Sequence, residues 1–236
     1  MFFYSNSISL MRRTVGKTYA QLRKRHLTNS SGESPGKSVV LYGIAVANVG
    51  VYWMWSSVSD YSSLRFMTEN FTCSSYGVRV KHAYHTLVTS FFSHKDPYHL
   101  LFNMLAYVSF GASTIHHLGT GRFLLLYFGG GVLSSIFHVY SDSLIPKSWP
   151  GRRLVEGPAL GASGAINAVI LWSICTFPRS TILIYFVPVP AALVGLGVIG
   201  WDFYNLYYGD SHVGRAAHLG GAAFGAAFYL LNRRRF

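Results

Sequence analysis

Six long apolar stretches, separated by more polar segments, dominate this chain of 236 residues. Each stretch is about as long as the 20 or so apolar residues that a helix needs to cross a bilayer. The stretches cover residues 38–56, 99–118, 121–140, 158–177, 181–200 and 213–231. The pattern predicts an all-α polytopic membrane protein, built as a bundle of six transmembrane helices in a lipid bilayer.

The composition agrees with this prediction. Half of the residues are hydrophobic and 12% are charged, whereas roughly 25% of residues are charged in soluble domains. The aromatic content of 16% suits belts of Trp and Tyr at the membrane interfaces. Cys73 and Cys175 lie in different segments and provide neither a disulfide framework nor a zinc-binding spacing, so both are interpreted as structural.

The net charge of +12 is concentrated near the N-terminus, where residues 1–37 hold seven of the 20 Lys and Arg and one of the eight acids. This stretch lacks the apolar core of a secretory signal, and its composition predicts a mitochondrial transit peptide. The alternatives are a plastid transit peptide, which would place the protein in the membrane of another organelle, and a basic tail that lies on anionic lipid. The chain is therefore divided into the basic segment 1–37 and a membrane domain, 38–236.

Six spans place both termini on the same side of the membrane, together with most of the basic residues that flank the spans. The positive-inside rule makes this the matrix side of a mitochondrial inner membrane. The loops at residues 57–98, 141–157 and 201–212 then lie on the opposite side.

The three spans that begin on that opposite side each carry a polar residue near their start. Asn103, Ser163 and His218 are predicted four or five residues into their helices, about 6–8 Å deep. Polar side chains within a membrane are costly and tend to be functional. Packing is the simpler explanation for a lone serine between glycines, but it does not account for three polar residues at one depth.

Together these residues suit acyl transfer. A serine hydroxyl is a weak nucleophile unless a base removes its proton, and His218 can act as that base for Ser163. The negatively charged oxygen that forms next needs hydrogen-bond donors. His99 and Asn103, four residues apart on one helix face, can supply them.

Four glycines surround the candidate residues. Gly161 and Gly164 leave space for a substrate backbone beside the serine. Gly221 and Gly225 form a ridge of small residues on the sixth helix, which permits a close helix crossing. That crossing would bring His218 within about 3 Å of the serine hydroxyl.

The motifs HxxxN in the second stretch, GxSG in the fourth and AHxxGxxxG in the sixth resemble those of the rhomboid family of intramembrane serine proteases. The resemblance covers about residues 38–232. It implies a six-helix bundle that cleaves transmembrane or membrane-edge segments of single-pass membrane proteins, with no cofactor or metal. It assigns Ser163 as nucleophile, His218 as base, and His99 and Asn103 as oxyanion donors. Many members have a tyrosine four residues after the serine, where this chain has Asn167.

Two finer expectations concern the neighbourhood of the dyad. No acid is placed by the sequence to make a triad, and Asp210, in the loop eight residues before His218, is not expected to serve. The fifth span contains Pro188 and Pro190, which suggest a mobile gate for substrate.

The alternative function belongs to a different class. Rhomboid-like proteins also serve as non-proteolytic subunits of translocation or quality-control assemblies, whose partners are other membrane-protein subunits. A transporter is disfavoured, because the chain has no inverted repeats. Nucleic-acid binding is disfavoured because basic residues outside the N-terminal segment are scattered, and the remaining histidines show no metal-ligand spacing.

Overall fold

The computed structural model describes residues 35–144, 157–184, 187–208 and 214–233. The helices are α1 (Pro35–Ser56), α2 (Tyr61–Phe71), α3 (Ser75–Arg79), α4 (Thr86–Thr89), α5 (Pro97–Leu118), α6 (Thr120–Val139), α7 (Ser141–Leu144), α8 (Ser163–Thr176), α9 (Ala191–Tyr208) and α10 (Arg215–Asn232). A 3₁₀ turn covers Ser90–Phe92, and the strands β1 (Thr181–Ile184) and β2 (Val187–Pro190) form an antiparallel hairpin.

Most of the described chain is helical, as predicted, and α1, α5, α6, α8, α9 and α10 follow the six apolar stretches in order. By length and composition, α1 and α6 could each cross a membrane, and α8 is apolar but shorter. The count of six transmembrane spans therefore stays a prediction. The first helix begins at Pro35, inside the predicted N-terminal segment, and the transit peptide prediction falls on residues 1–34, outside the described part.

The fifth apolar stretch differs from the predicted helix over 181–200. Its first part forms the β1–β2 hairpin, and α9 begins only at Ala191. Five of the eight strand residues are β-branched, which favours extended backbone. Pro188 and Pro190 also disfavour a helical conformation for the residues before them. Both prolines therefore precede α9, so a gate made by prolines within this helix has no counterpart in the structure.

The core of the fold is the crossing of α6, α8 and α10, where glycines let the backbones touch. A Cβ atom on Gly221 would overlap the carbonyl group of Gly164, and one on Gly225 would overlap the carbonyl group of Ala168. From the other side, a Cβ on Gly130 would overlap the Ala168 methyl group. This packing holds the first turns of α8 and α10 against each other.

We expect the substitution Gly221→Ala to destabilise the fold by about 1–3 kcal/mol, the usual cost of overpacking a core. The added methyl group meets backbone atoms of Gly164, which cannot rotate away. Thermal unfolding in detergent micelles measures the effect. Gly200→Ala is the matched control, since its Cβ meets nothing within 4 Å and alanine favours the helix. A Gly221→Ala midpoint equal to that of the wild type would contradict this packing.

The predicted loop over residues 57–98 is largely structured, and it supports the segment that leads into α8. The backbones of Cys73 and Ala159 exchange two hydrogen bonds of 2.8 and 2.7 Å. The Gly161 N–H donates to the Ser90 carbonyl at 2.9 Å. The start of α8 is therefore held by this loop as well as by the helix core. Residues 145–156 of the second predicted loop lie outside the described part.

The outward faces of the helices are apolar. Exposed large side chains occur on several of them, among them Val39, Val46, Leu105, Leu125, Leu193 and Leu230. Exposed apolar side chains on several helices suit contact with lipid.

Candidate active site

Two helix starts meet at the centre of the molecule. Ser163 is the first residue of α8, and His218 lies in the first turn of α10. The Ser163 Oγ and His218 Nε2 atoms are 2.7 Å apart, a hydrogen-bond distance. The serine was predicted about one turn inside a helix beginning near residue 158, but the extended segment before α8 replaces that turn.

A buried carboxylate completes this row of side chains. The His218 Nδ1 atom lies 2.8 Å from the Asp202 Oδ2 atom. The Arg215 Nη1 atom donates to the other carboxylate oxygen at 2.8 Å, and Asp202 is only 3% exposed. The expectation that no acid could join the dyad is therefore wrong, whereas Asp210 lies outside the described residues.

Asp202 was missed because the fifth helix was predicted ten residues too early, which left this residue in a loop. The late start of α9 places Asp202 well inside the helix instead. The available signal was the aspartate within the apolar run GVIGWDFYNLYY. An ionisable residue in such a run usually has a buried partner.

His99 and Asn103 are both in the first two turns of α5. Asp96 caps this helix and accepts a hydrogen bond from the His99 N–H at 2.7 Å. Pro97 is the first residue of the helix, a position that proline favours. The Asn103 Nδ2 atom donates to the His99 carbonyl at 2.8 Å. An amide carries a second N–H, which stays available for another acceptor.

Ser163 and His218 line two cavities. One, of about 760 Å³, is mainly apolar and includes Asn103 as well as side chains of α8 and α9. The other, of about 310 Å³, is more polar and includes His99, with serines and a histidine of α6. The structure thus brings each predicted oxyanion donor to a cavity that the serine also lines, one donor on each side.

Two glycines shape the polar cavity next to the serine. Gly161 has a φ of +125°, a conformation that side chains rarely adopt. A Cβ there would also lie 2.7 Å from the His99 Cε1 atom. A Cβ on Gly164 would overlap the hydroxyl group of Ser134. Glycine is therefore required at both positions for the close approach of α5 and α6.

Asn167 takes the place where a tyrosine was expected from the resemblance. It is buried, and its Nδ2 atom lies 3.5 Å from the His218 carbonyl oxygen. The histidine is thus held through its ring by Asp202 and through its backbone by Asn167.

Cys73 places a thiol on the polar cavity. Burial raises the pKa of its thiol to about 11, so the thiol is protonated at neutral pH. Since the thiolate is the reactive form, Cys73 is chemically inert here.

A buried histidine, His94, contacts the residue before the serine. Its Nε2 atom accepts a hydrogen bond from the Ala162 N–H at 3.3 Å. Burial, aided by the neighbouring His99, lowers the pKa of His94 to about 3, so its ring is neutral in the folded protein.

We expect His94 to make folding stability depend on pH. The unfolded chain takes up a proton at this residue below its ordinary pKa of about 6.5, whereas the folded protein does not until about pH 3. Stability therefore falls as the pH drops below 6.5, by up to about 1.4 kcal/mol per pH unit. Between pH 7.5 and 5, the unfolding free energy should change less steeply with pH in His94→Gln than in the wild type. His85→Gln, in the same loop, should keep the wild-type slope. Equal slopes in all three proteins would contradict the prediction.

Comparison with known proteins shows what this chain is similar to. The family model described as the Rhomboid domain matches residues 81–235. RHOMBOID-like protein 12, mitochondrial, of Arabidopsis thaliana is 38% identical over 205 residues, 84% of this chain and 60% of the relative.

Two further relatives give the same picture. Rhomboid-like protein 16, chloroplastic, of the same plant is 32% identical over 173 residues, 69% of this chain and 53% of its own length. Rhomboid protein 1, mitochondrial, of Saccharomyces cerevisiae is 30% identical over 191 residues, 80% of this chain and 52% of its own. The chain spans about half to three-fifths of the length of these curated relatives.

Proposed function

Because the chain belongs to the rhomboid family and is a mitochondrial membrane protein, we propose that it is an intramembrane serine endopeptidase of the inner membrane. Its substrates are single-pass membrane proteins, cut within or at the edge of their transmembrane segments. The observation that carries this proposal is the 2.7 Å contact between the Ser163 hydroxyl and the His218 ring, between two cavities.

In the first half of the reaction, the Ser163 Oγ atom attacks the carbonyl carbon of the scissile peptide bond. The His218 Nε2 atom accepts the hydroxyl proton and then gives it to the leaving amine. Asp202 accepts a hydrogen bond from the Nδ1–H, which keeps the Nε2 lone pair aimed at the serine and stabilises the protonated ring. In the second half, a water molecule attacks the acyl-serine, and His218 acts again as base.

Donors for the carbonyl oxygen come from three directions. The Ser163 N–H belongs to the first turn of α8 and has no partner within the helix. The spare Asn103 N–H would donate from the apolar cavity and the His99 ring from the polar cavity, since each residue lines a cavity that Ser163 also lines. Preorganised donors of this kind are worth about 10²–10³ in rate for each one.

The length of α8 suits hydrolysis below the membrane surface. Its 14 residues span about 21 Å, less than the about 30 Å of a bilayer core. A helix that ends at one surface would therefore begin several ångströms below the other. Water would reach the serine through the polar cavity, while a substrate segment would lie in the apolar one.

The proposal is tested with purified protein in liposomes that contain a single-pass substrate with tags on both ends. We expect two fragments, and we expect a fluorophosphonate probe to modify Ser163 and stop their formation. Mass spectrometry locates the adduct. If the folded protein neither cleaved the substrate nor reacted with the probe, the proposal would be contradicted. That result would favour the alternative role as a subunit of a translocation or quality-control assembly.

A further inference from the structure

The His94 side chain is fully buried behind the nucleophile, although it takes no part in the proposed proton transfers. Its ring packs edge-to-face on that of His99, with centroids 4.9 Å apart. Its Nε2 atom accepts the Ala162 N–H, and its Nδ1 atom has no partner in the described part of the chain. The unpartnered Nδ1 atom costs free energy on burial, so the histidine does not stand here for stability alone.

That hydrogen bond acts at a sensitive place. Ala162 is the N-cap residue of α8, and no side chain caps this helix start. The Ala162 carbonyl accepts the first hydrogen bond of the helix, from the Ile166 N–H at 2.9 Å, whereas the Gly161 and Ala162 N–H groups are oriented by external contacts. Of these, the Gly161 bond to Ser90 and the Ala162 bond to His94 are the two nearest to the serine.

Trp55, in the last turn of α1, holds both neighbours of His94. Its Nε1–H donates to the Ser93 Oγ atom at 2.7 Å, in a buried bond. The Lys95 Nζ atom lies over the same indole ring, 4.1 Å from its centroid, a cation–π contact. Residues 93–95 are thus clamped to the first helix.

We propose that Trp55 and His94 are positioning residues for the hydrolysis. Trp55 fixes the backbone of residues 93–95, so that the imidazole of His94 reaches the Ala162 N–H and orients the Gly161–Ala162 peptide group, one residue before Ser163. The same ring supports the face of His99. Neither residue touches the reacting atoms, and the inference rests on the proposed function.

The physical reason is geometric. Only a neutral imidazole with its lone pair on Nε2 can accept the Ala162 N–H, and burial away from water keeps that ring neutral. A small rotation of the 161–162 peptide group would move Ala162, and with it the Ser163 N–H, away from the oxyanion. Displacement by about 1 Å can cost about 10²-fold in rate.

The first test compares His94→Leu with His94→Gln. Leucine fills the space without an acceptor, whereas the glutamine side-chain oxygen can replace the Nε2 atom. We expect kcat to fall about 10- to 100-fold in His94→Leu with KM within about twofold, and glutamine to restore most of it. His85→Leu is the matched control, because the exposed His85 ring contacts Asn70 in the first loop, and it should keep the wild-type kcat. Equal losses with leucine and glutamine would overturn the role of the acceptor.

The second test isolates the clamp. Trp55→Phe keeps an aromatic ring for Lys95 but removes the donor to Ser93. We expect it to lower kcat several-fold, and to have no further effect in a Ser93→Ala background, because both changes break the same bond. Trp53→Phe, on an exposed ring of the same helix end, should be neutral. Additive effects of the Trp55 and Ser93 changes would overturn the clamp, even if His94→Leu does not fold.

A third measurement needs no proteolysis, so it separates this inference from the proposed function. Amide hydrogen exchange of the segment around Ala162 should be faster in His94→Leu and in Trp55→Phe than in the wild type and in His94→Gln. If the wild type cleaves nothing but the exchange pattern holds, the proposed function fails and the positioning stands. If exchange is the same in all four proteins, the positioning role is wrong.

Discussion

Replacing Ser163 with alanine is expected to lower kcat/KM for a single-pass substrate by at least about 10⁴-fold, since removal of the nucleophile of a serine protease leaves only binding and oxyanion contacts. The hydroxyl lies 2.7 Å from its base, so the two act as one unit. His218→Asn should therefore cost a similar factor, and the double substitution should cost little more than either.

The measurement is fragment release in liposomes, with equal amounts of each protein. Ser113→Ala is the matched control, because that exposed serine donates to the Phe110 carbonyl on its own helix. Wild-type product from Ser163→Ala would eliminate the protease function. Losses that add in the double substitution would mean that the two residues act separately.

Replacing Asp202 with asparagine is expected to have the next largest effect, about 10²–10⁴-fold in kcat with a smaller change in KM. The asparagine amide can donate to the His218 Nδ1 atom, which would move the ring proton to Nε2. A protonated Nε2 can no longer accept the proton of Ser163. The substitution also removes the negative charge that pairs with the guanidinium of Arg215.

Single-turnover cleavage and fluorophosphonate labelling of Ser163 both report this effect. Asp60→Asn, at an exposed helix cap in the first loop, provides a control that should keep full activity. Arg215→Gln keeps the carboxylate beside His218, so this substitution should lower kcat much less than Asp202→Asn does. A wild-type rate in Asp202→Asn would reduce the arrangement to a dyad with an incidental ion pair.

Much of the site follows from local sequence patterns. The Gly-rich contexts of Ser163 and His218 predict a close helix crossing, because glycines repeat on one helix face wherever backbones must touch. The Asp96-Pro97 pair explains why α5 begins where it does, which sets His99 and Asn103 on one face four residues apart. These features depend on neighbours within one or two helical turns.

Other parts of the site could not be predicted, since they depend on distant contacts. The apolar sequence over 181–200 is compatible with either strand or helix. Its β-branched residues and prolines favour a hairpin in the first part of this stretch. That shift in the start of α9 carries Asp202 to His218. The pairing of Trp55 with Ser93 and of His94 with Ala162 joins residues 38 and 68 positions apart.

The sequence by itself determined the mainly helical architecture, the order of the apolar helices, the family and the serine and histidine that face each other. Only the tertiary structure decided which acid joins them and which loop holds the serine's backbone. Hydrophobic periodicity and glycine spacing act within one helix and can be read along the chain. A buried carboxylate or imidazole is instead stabilised by whichever partners the packed helices bring within hydrogen-bond distance.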